Sequence, residues 1–383
     1  MDQTVKLEAN LEKPVQKKVR SSGLELFRII SMFLIVAHHY VVNSDVILMA
    51  LATPTKVNSI LFLIIGAWGK TGINCFVLIT GYFMCKSSIS LRKFLKLIFE
   101  IEFYRIVIYF IFLLSGYVPF SVTDLIKALL PVTSVESNFT GCFLLFYLCI
   151  PFLSILVRNM TERMHLRLVI LVSFIYIILG TVPKMGVTMN YVSWFIVLFV
   201  IASYISLYPK KIFDSAKIWG IISILMLIIS VLSIVVAALL TDKLGTNLSY
   251  YLLSDSNKIL AVCCGLSWFL FFKNLNIGTI KFINLVGAST FGVLLIHANS
   301  DAMRRWLWKD VVKTHEQFAS SYGVLLCLAS VIIIFAICTV IDLLRIKFIE
   351  KPFFKLWDKH EKKLVDKYKK TEDKICEKFN IGE

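Results

Sequence analysis

Residues 23–42 read GLELFRIISMFLIVAHHYVV, an apolar run interrupted by Glu25, Arg28, His38 and His39. Twenty residues at 1.5 Å each make a helix of about 30 Å, the thickness of a bilayer's hydrocarbon core. An ionisable group inside such a span costs at least ~2.5 kcal/mol on insertion scales, so each one asks for a reason. His39 follows Arg28 by eleven positions, which returns it to within roughly 20° of Arg28 about 16 Å further along the axis. His38 points about 80° away from that stripe on the same geometry. An imidazole suits a general base that deprotonates a hydroxyl, and a guanidinium suits a bidentate clamp on phosphate. The plainer reading of the same residues is an arginine that snorkels to the headgroups and a histidine satisfied in the core.

Outward from this run the chain keeps the same character. It is 58% hydrophobic and 17% charged over 383 residues, which excludes a water-soluble enzyme. The apolar runs are too long and too uniform for barrel strands, disorder or a coiled coil. Ten spans are expected, near 24–42, 58–84, 94–118, 139–157, 166–182, 191–208, 217–240, 258–273, 281–297 and 322–344. The fold class is therefore an all-α polytopic membrane protein, with an N-terminal segment 1–20, a transmembrane domain 21–345 and a charged amphipathic tail 346–383.

The net charge of +16 sits in the loops, so it does not call for nucleic acid. With a cytoplasmic N-terminus, the inside loops hold basic groups such as Lys86, Arg92 and Lys93, then Arg158, Arg163 and Arg167. The first four outside loops carry one lysine each. The positive-inside rule then puts both termini in the cytoplasm. The outer loop 298–321 disobeys, with Arg304, Arg305, Lys309 and Lys313 around Trp306 and Trp308. It reads as an interfacial amphipathic helix or as a surface for an anionic acceptor. The tail reads as a helix lying on the anionic cytoplasmic leaflet. The first span lacks the flanks of a cleaved signal peptide and is expected to remain. Nine cysteines without a CxxC pair give neither a metal-ligand spacing nor a disulfide framework, and no metal is expected.

Further polar residues lie within the spans. Trp68-Gly69-Lys70-Thr71-Gly72 suggests a break or re-entrant turn, and NCFVLITGYF places Asn74, Thr80 and Tyr82 inside the membrane. Glu100, Glu102 and Arg105 sit in the third span, where Glu102 and Arg105 form an i, i+3 pair. Alternatively, Arg105 continues with Arg92 and Lys93 a basic mouth on the cytoplasmic side. STFGVLLIHANS ends the ninth span with His297 at the outer level of His39.

These segments resemble the membrane-bound acyltransferase 3 family of bacterial O-acyltransferases. The Arg28 to His39 spacing preceded by ELFR, the NCFVLITGYF segment, the STFGVLLIH segment and FIEKPF at 348–353 follow in the family's order. Thr80 stands where the family more often has serine. The resemblance implies transfer of an acyl group, usually acetyl, from cytoplasmic acyl-CoA to a hydroxyl of a carbohydrate in the cell envelope. It carries over Arg28 and His39 as the essential pair, with no permanently bound cofactor and acetyl-CoA as donor substrate. Arg92, Lys93 and Arg105 are candidates for the CoA phosphates. Glu25, His38, Asn74, Thr80, Tyr82 and His297 are candidates for lining the acceptor passage. Nothing in the chain is long enough for the soluble hydrolase-like domain that some relatives append. The expected location is the bacterial plasma membrane, and the expected partners are acyl-CoA, a surface polysaccharide and lipid. A transporter or flippase of a lipid-linked glycan is the alternative, since intramembrane Arg and Lys are ordinary there too.

Overall fold

The structure, a computed structural model, describes residues 21–87, 89–132 and 139–378, and it is built from helices with no strand among the described residues. The elements are α1 (Ser22–Val42), α2 (Val46–Ala52), α3 (Val57–Gly66), α4 (Gly69–Met84), α5 (Leu91–Leu114), α6 (Val122–Leu129) and α7 (Phe139–Arg158). Then follow α8 (Glu162–Ser173, continued by a π-helical stretch Phe174–Leu179), α9 (Tyr191–Leu207), α10 (Ala216–Leu239) and α11 (Ile259–Asn274). The last group is α12 (Lys281–Ala288), α13 (Thr290–His297), α14 (Asp301–Arg305, continued by Trp306–Val311), α15 (Thr314–Ala319), α16 (Gly323–Arg345, continued by Ile346–Glu350) and α17 (Lys351–Lys378).

Each of the ten apolar runs lies in helix, but the helices differ in kind. Five stretches are long and apolar enough to cross a membrane: Ser22–Val42, Val57–Met84, Phe139–Arg158, Ala216–Leu239 and Gly323–Glu361. A sixth appears if Lys281–His297 and Asp301–Val311, which meet at a 92° bend, count as one span. α9 and α11 are apolar but shorter, at 17 and 16 residues. α5 is long but carries Arg92, Lys93, Lys96, Glu100, Glu102 and Arg105.

Although first in the chain, α1 is the central helix, packed by α3, α4, α11, α12, α13 and α16. Lipid tails are as apolar as leucine, so close backbone approach and internal hydrogen bonds hold such a bundle together. The Trp-Gly-Lys-Thr-Gly segment shows how. It is a helix break at Ala67–Trp68 between α3 and α4, without a sharp bend, and its glycines are contact points. A Cβ at Gly69 would overlap the His38 ring, and one at Gly72 would lie 2.7 Å from Ile35 Cγ1. At the start of α1, Ser22 Oγ accepts from the Ile280 N–H (2.8 Å) and donates to Asn284 Oδ1 (2.9 Å), which ties α1 to α12.

The bundle has two ends, named here by the residues of α1 that mark them. At the Tyr40 end, the 92° bend lays α14 across the top of α13. Trp308 is fully buried there, edge-on to Tyr40 at 5.7 Å, while the Tyr40 hydroxyl donates to Gln317 Oε1 (2.7 Å). At the Ser22 end the tail departs from expectation. α16 runs through its π-helical stretch into α17 without a sharp bend as far as Glu361, a continuous 39 residues. That is about 58 Å, twice the hydrocarbon thickness, so the tail leaves along the helix axis and does not turn across the leaflet. α5 holds its first turns: Arg92 is bidentate to Asp358 (2.7 and 3.1 Å), and Phe99 stacks on Phe353 at 4.6 Å.

Candidate functional site

The side of α1 that meets α12 and α13 carries both ionisable stations of the first span. Near the Ser22 end, Arg28 Nη1 donates to Glu25 Oε1 at 2.8 Å, and the open face of Gly287 on α12 makes room for that carboxylate. A Cβ at Gly287 would stand 2.5 Å from Glu25 Oε2. Three turns along, His39 Nδ1 and His297 Nε2 are 2.9 Å apart, with ring centroids at 5.1 Å. His297 is fully buried, and its Nδ1 lies 2.6 Å from the Val293 carbonyl one turn back on α13.

This chain of contacts fixes the protons. A carbonyl oxygen only accepts, so His297 Nδ1 carries a hydrogen and donates it to Val293. Neutral His297 then presents a lone pair at Nε2, which accepts from His39 Nδ1–H. His39 is left with its own lone pair at Nε2, to which no described residue donates a hydrogen bond. An imidazole held in one tautomer, with the second nitrogen bonded and the first open, has the arrangement required of a general base or a nucleophile. His38 is held through Nδ1 as well, but by a backbone carbonyl and not by a second imidazole. Its Nδ1 donates to the Gly66 carbonyl at 2.5 Å, pinning α1 to the α3–α4 break.

Two cations surround the pair. Lys70, at the start of α4, donates to the Tyr191 hydroxyl (2.6 Å) and lies 3.6 Å from Asp255. Arg304, on α14, pairs with Asp301 at 2.8 Å, and its buried Nε has no hydrogen-bond partner among the described residues. Neither residue stands out in the sequence as part of the site, because nothing local in 298–321 says that the loop folds back over His39.

The other candidates are placed as follows. Asn74 is fully buried and fully engaged: its amide donates to the Ser256 (2.7 Å) and Ala261 (3.2 Å) carbonyls, and its oxygen accepts from Trp194 Nε1 (2.9 Å). It is a fastener between α4, α9 and α11, not a passage residue. Thr80 donates to the Phe76 carbonyl of its own helix (2.9 Å), and Tyr82 packs edge-on against Phe269. Both sit near the Ser22 end of α4, about 15 Å or more along that helix from Lys70. Arg92 is occupied by Asp358, whose carboxyl it holds below the usual carboxylate range. The Lys93 backbone N–H is capped by Ser90 Oγ at 3.3 Å. Arg105 lies 4.0 Å from Glu102 and donates to the Lys127 carbonyl in α6, beyond the far end of α5. That bond draws it toward the Tyr40 end, away from a mouth shared with Arg28 and Arg92.

A buried network that the sequence does not reveal joins α5 to α16. Arg345 gives Nε to Asp342 (2.9 Å), Nη1 to Glu350 (2.7 Å) and Nη2 to Glu100 (3.1 Å). Lys96 closes on Glu350 at 2.7 Å, and the Tyr104 hydroxyl donates to Asp342 at 2.8 Å. Asp342 also lies against Gly292 of α13, so the network buttresses the helix that carries His297. A cavity of about 490 Å³ among Ile30, Leu34, Trp268 and Phe271 is apolar and lies on another side of α1 from the imidazoles.

The fold and the imidazole pair define a polytopic helical membrane protein with a base-bearing central span. The family model described as Acyltransferase domain (Acyl_transf_3) matches residues 21–340, and the chain belongs to that family. It is a multi-pass membrane acyltransferase. Comparison with curated proteins and with solved structures returns no match.

Proposed function

We propose that this protein is an O-acetyltransferase of the bacterial plasma membrane, with ten spans and both termini cytoplasmic. It takes acetyl from cytoplasmic acetyl-CoA and passes it to a hydroxyl of a cell-envelope glycan. The observation that carries the reading is the chain His39–His297–Val293, which leaves His39 Nε2 as an open lone pair in the central span.

In this account a glycan hydroxyl approaches His39 from the Tyr40 end and the thioester from the Ser22 end. His39 Nε2 takes the hydroxyl proton as the oxygen adds to the thioester carbonyl. The resulting imidazolium is stabilised through Nδ1–H donated to His297, as an orienting partner stabilises the histidine of a hydrolase triad. In this account Arg304 and Lys70 supply the positive charge that stabilises the tetrahedral oxyanion. Collapse breaks the C–S bond, the ester stays on the glycan, and the CoA thiolate recovers the proton from His39 Nε2. Arg28 serves the donor at the Ser22 end, where Glu25 holds its guanidinium against α12 until phosphate competes for it.

Mass comparison of surface glycan from cells with and without the protein tests the reaction class. Loss of about 42 Da per modified residue, an acetyl in place of a hydroxyl hydrogen, is expected. An unchanged glycan mass contradicts the assignment.

A further inference from the structure

We infer that the Tyr40 end contains a pyranose-binding compartment for the acceptor: a cavity of about 230 Å³ walled by Gly180, Met185, Gly186, Asp255, Asn257 and Lys258. The inference rests on the acyl-transfer reading above and names where one sugar ring of the glycan sits.

The cavity is preformed, because its two loops are sewn together. Tyr251 donates to the Thr181 carbonyl (2.7 Å), Lys258 to the Gly180 carbonyl (2.6 Å), and the Ile259 N–H to Thr181 Oγ1 (3.0 Å). The loop between α8 and α9 also holds Lys184 at φ 64°, a left-handed conformation that non-glycine residues adopt at a cost and that recurs at ligand sites. A volume of about 230 Å³ is far above the ~10–15 Å³ that a single water needs, so the cavity has room for a small organic ligand.

Its chemistry suits a polyol. Asp255 Oδ1 accepts from the Ser256 N–H (2.7 Å) and faces Lys70 (3.6 Å), while Oδ2 has no hydrogen-bond partner among the described residues. A half-exposed carboxylate with an open oxygen accepts from neighbouring hydroxyls in charge-assisted bonds. The Met185 thioether offers a polarizable surface to the C–H face of a ring. The compartment also has a route to the chemistry. Asp255 lies 3.6 Å from Lys70, and Gly69, the residue before it, packs against the His38 ring, so a ring seated here shares the histidines' end of α4.

Gly186 supplies a clean test, since nothing lies within 4 Å of a Cβ built there and its φ is not positive. Gly186→Trp therefore places an indole on the cavity wall without straining the backbone, where its bulk competes with a ring for the space. Saturation-transfer NMR in nanodiscs, with methyl gluco-, galacto- and mannopyranosides as probes, is expected to show binding of at least one to the wild type and none to Gly186→Trp. Asp255→Asn should weaken that binding about tenfold or more, as loss of a hydrogen bond to a charged group does. Equal signals in wild type and both variants, or no signal from any pyranoside in the wild type, overturn the compartment. Acetyl-CoA consumption measured on the same samples reports separately on the reaction. A wild type that binds a pyranoside but never consumes acetyl-CoA keeps the compartment and contradicts the acyl-transfer reading. Consumption with no pyranoside bound does the reverse.

Discussion

Replacing His297 with Ala removes the acceptor of the His39 Nδ1–H while leaving His39 itself in place. In the ground state the lost bond joins two neutral rings at 2.9 Å, worth about 1 kcal/mol. In the transition state His39 is an imidazolium and the bond is charge-assisted, worth roughly 1.5–3 kcal/mol. Only the difference between the two states, ~0.5–2 kcal/mol, changes kcat, which should drop roughly 2- to 30-fold at ~1.36 kcal/mol per decade, with the KM for acetyl-CoA unchanged. His297→Gln, whose amide oxygen can accept from Nδ1–H, should recover part of that loss. The assay is thiol release from acetyl-CoA by purified protein with its glycan acceptor, with monodispersity and Tm as controls because His297 is fully buried. A kcat in His297→Ala equal to that of the wild type, with His39→Ala inactive, would refute the idea that His297 sets the tautomer.

Other substitutions test the scaffold. Gly69→Ala drives a methyl into the His38 ring and should destabilise the protein by ~1–3 kcal/mol, seen as a lower Tm in detergent, whereas an unchanged Tm means α1 and α4 do not cross closely there. Arg345→Met strands Glu100, Asp342 and Glu350 together and should cost ~3–5 kcal/mol or abolish expression, with Arg345→Lys a poor substitute because one ammonium cannot serve three carboxylates in the guanidinium's fork geometry. Asp358, with its carboxyl held low by Arg92, favours tail docking above the ordinary carboxylate pKa near 3.9 and loses that contribution as pH falls through the lower folded value. Trp357 fluorescence should therefore show an acid-side transition that Asp358→Asn lacks, and identical profiles would contradict the docking.

Much of the fold was legible because bilayer thickness dictates helix length. α1 was expected at 24–42 and spans Ser22–Val42, and α16 and α10 agree equally well. Where hydropathy is continuous but packing is not, the pattern misled: the run 58–84 conceals a break at Ala67–Trp68, and 281–297 conceals one at Ser289. The tail's alternating charges fit a helix flat on a membrane, but amphipathicity gives no axis direction, and the Arg92–Asp358 contact that sets it spans 266 residues. In the site, the Arg28–His39 register and the common level of His39 and His297 follow from helix geometry alone. Their pairing does not, because it depends on α13 packing beside α1. Arg345, in a sequence context that resembles an ordinary positive flank, turns out buried among carboxylates from α5 and from its own helix. The contact of Arg105 with Lys127 was hidden for the same reason, since sequence order gives its depth in α5 but not the loop helix α6 that folds back to meet it.

The most direct measurement is transfer of labelled acetyl from acetyl-CoA to envelope glycan by purified wild type and His39→Ala side by side. The account predicts label in the glycan with the wild type and background with the variant, both proteins remaining monodisperse. Equal labelling by a well-folded His39→Ala would contradict it.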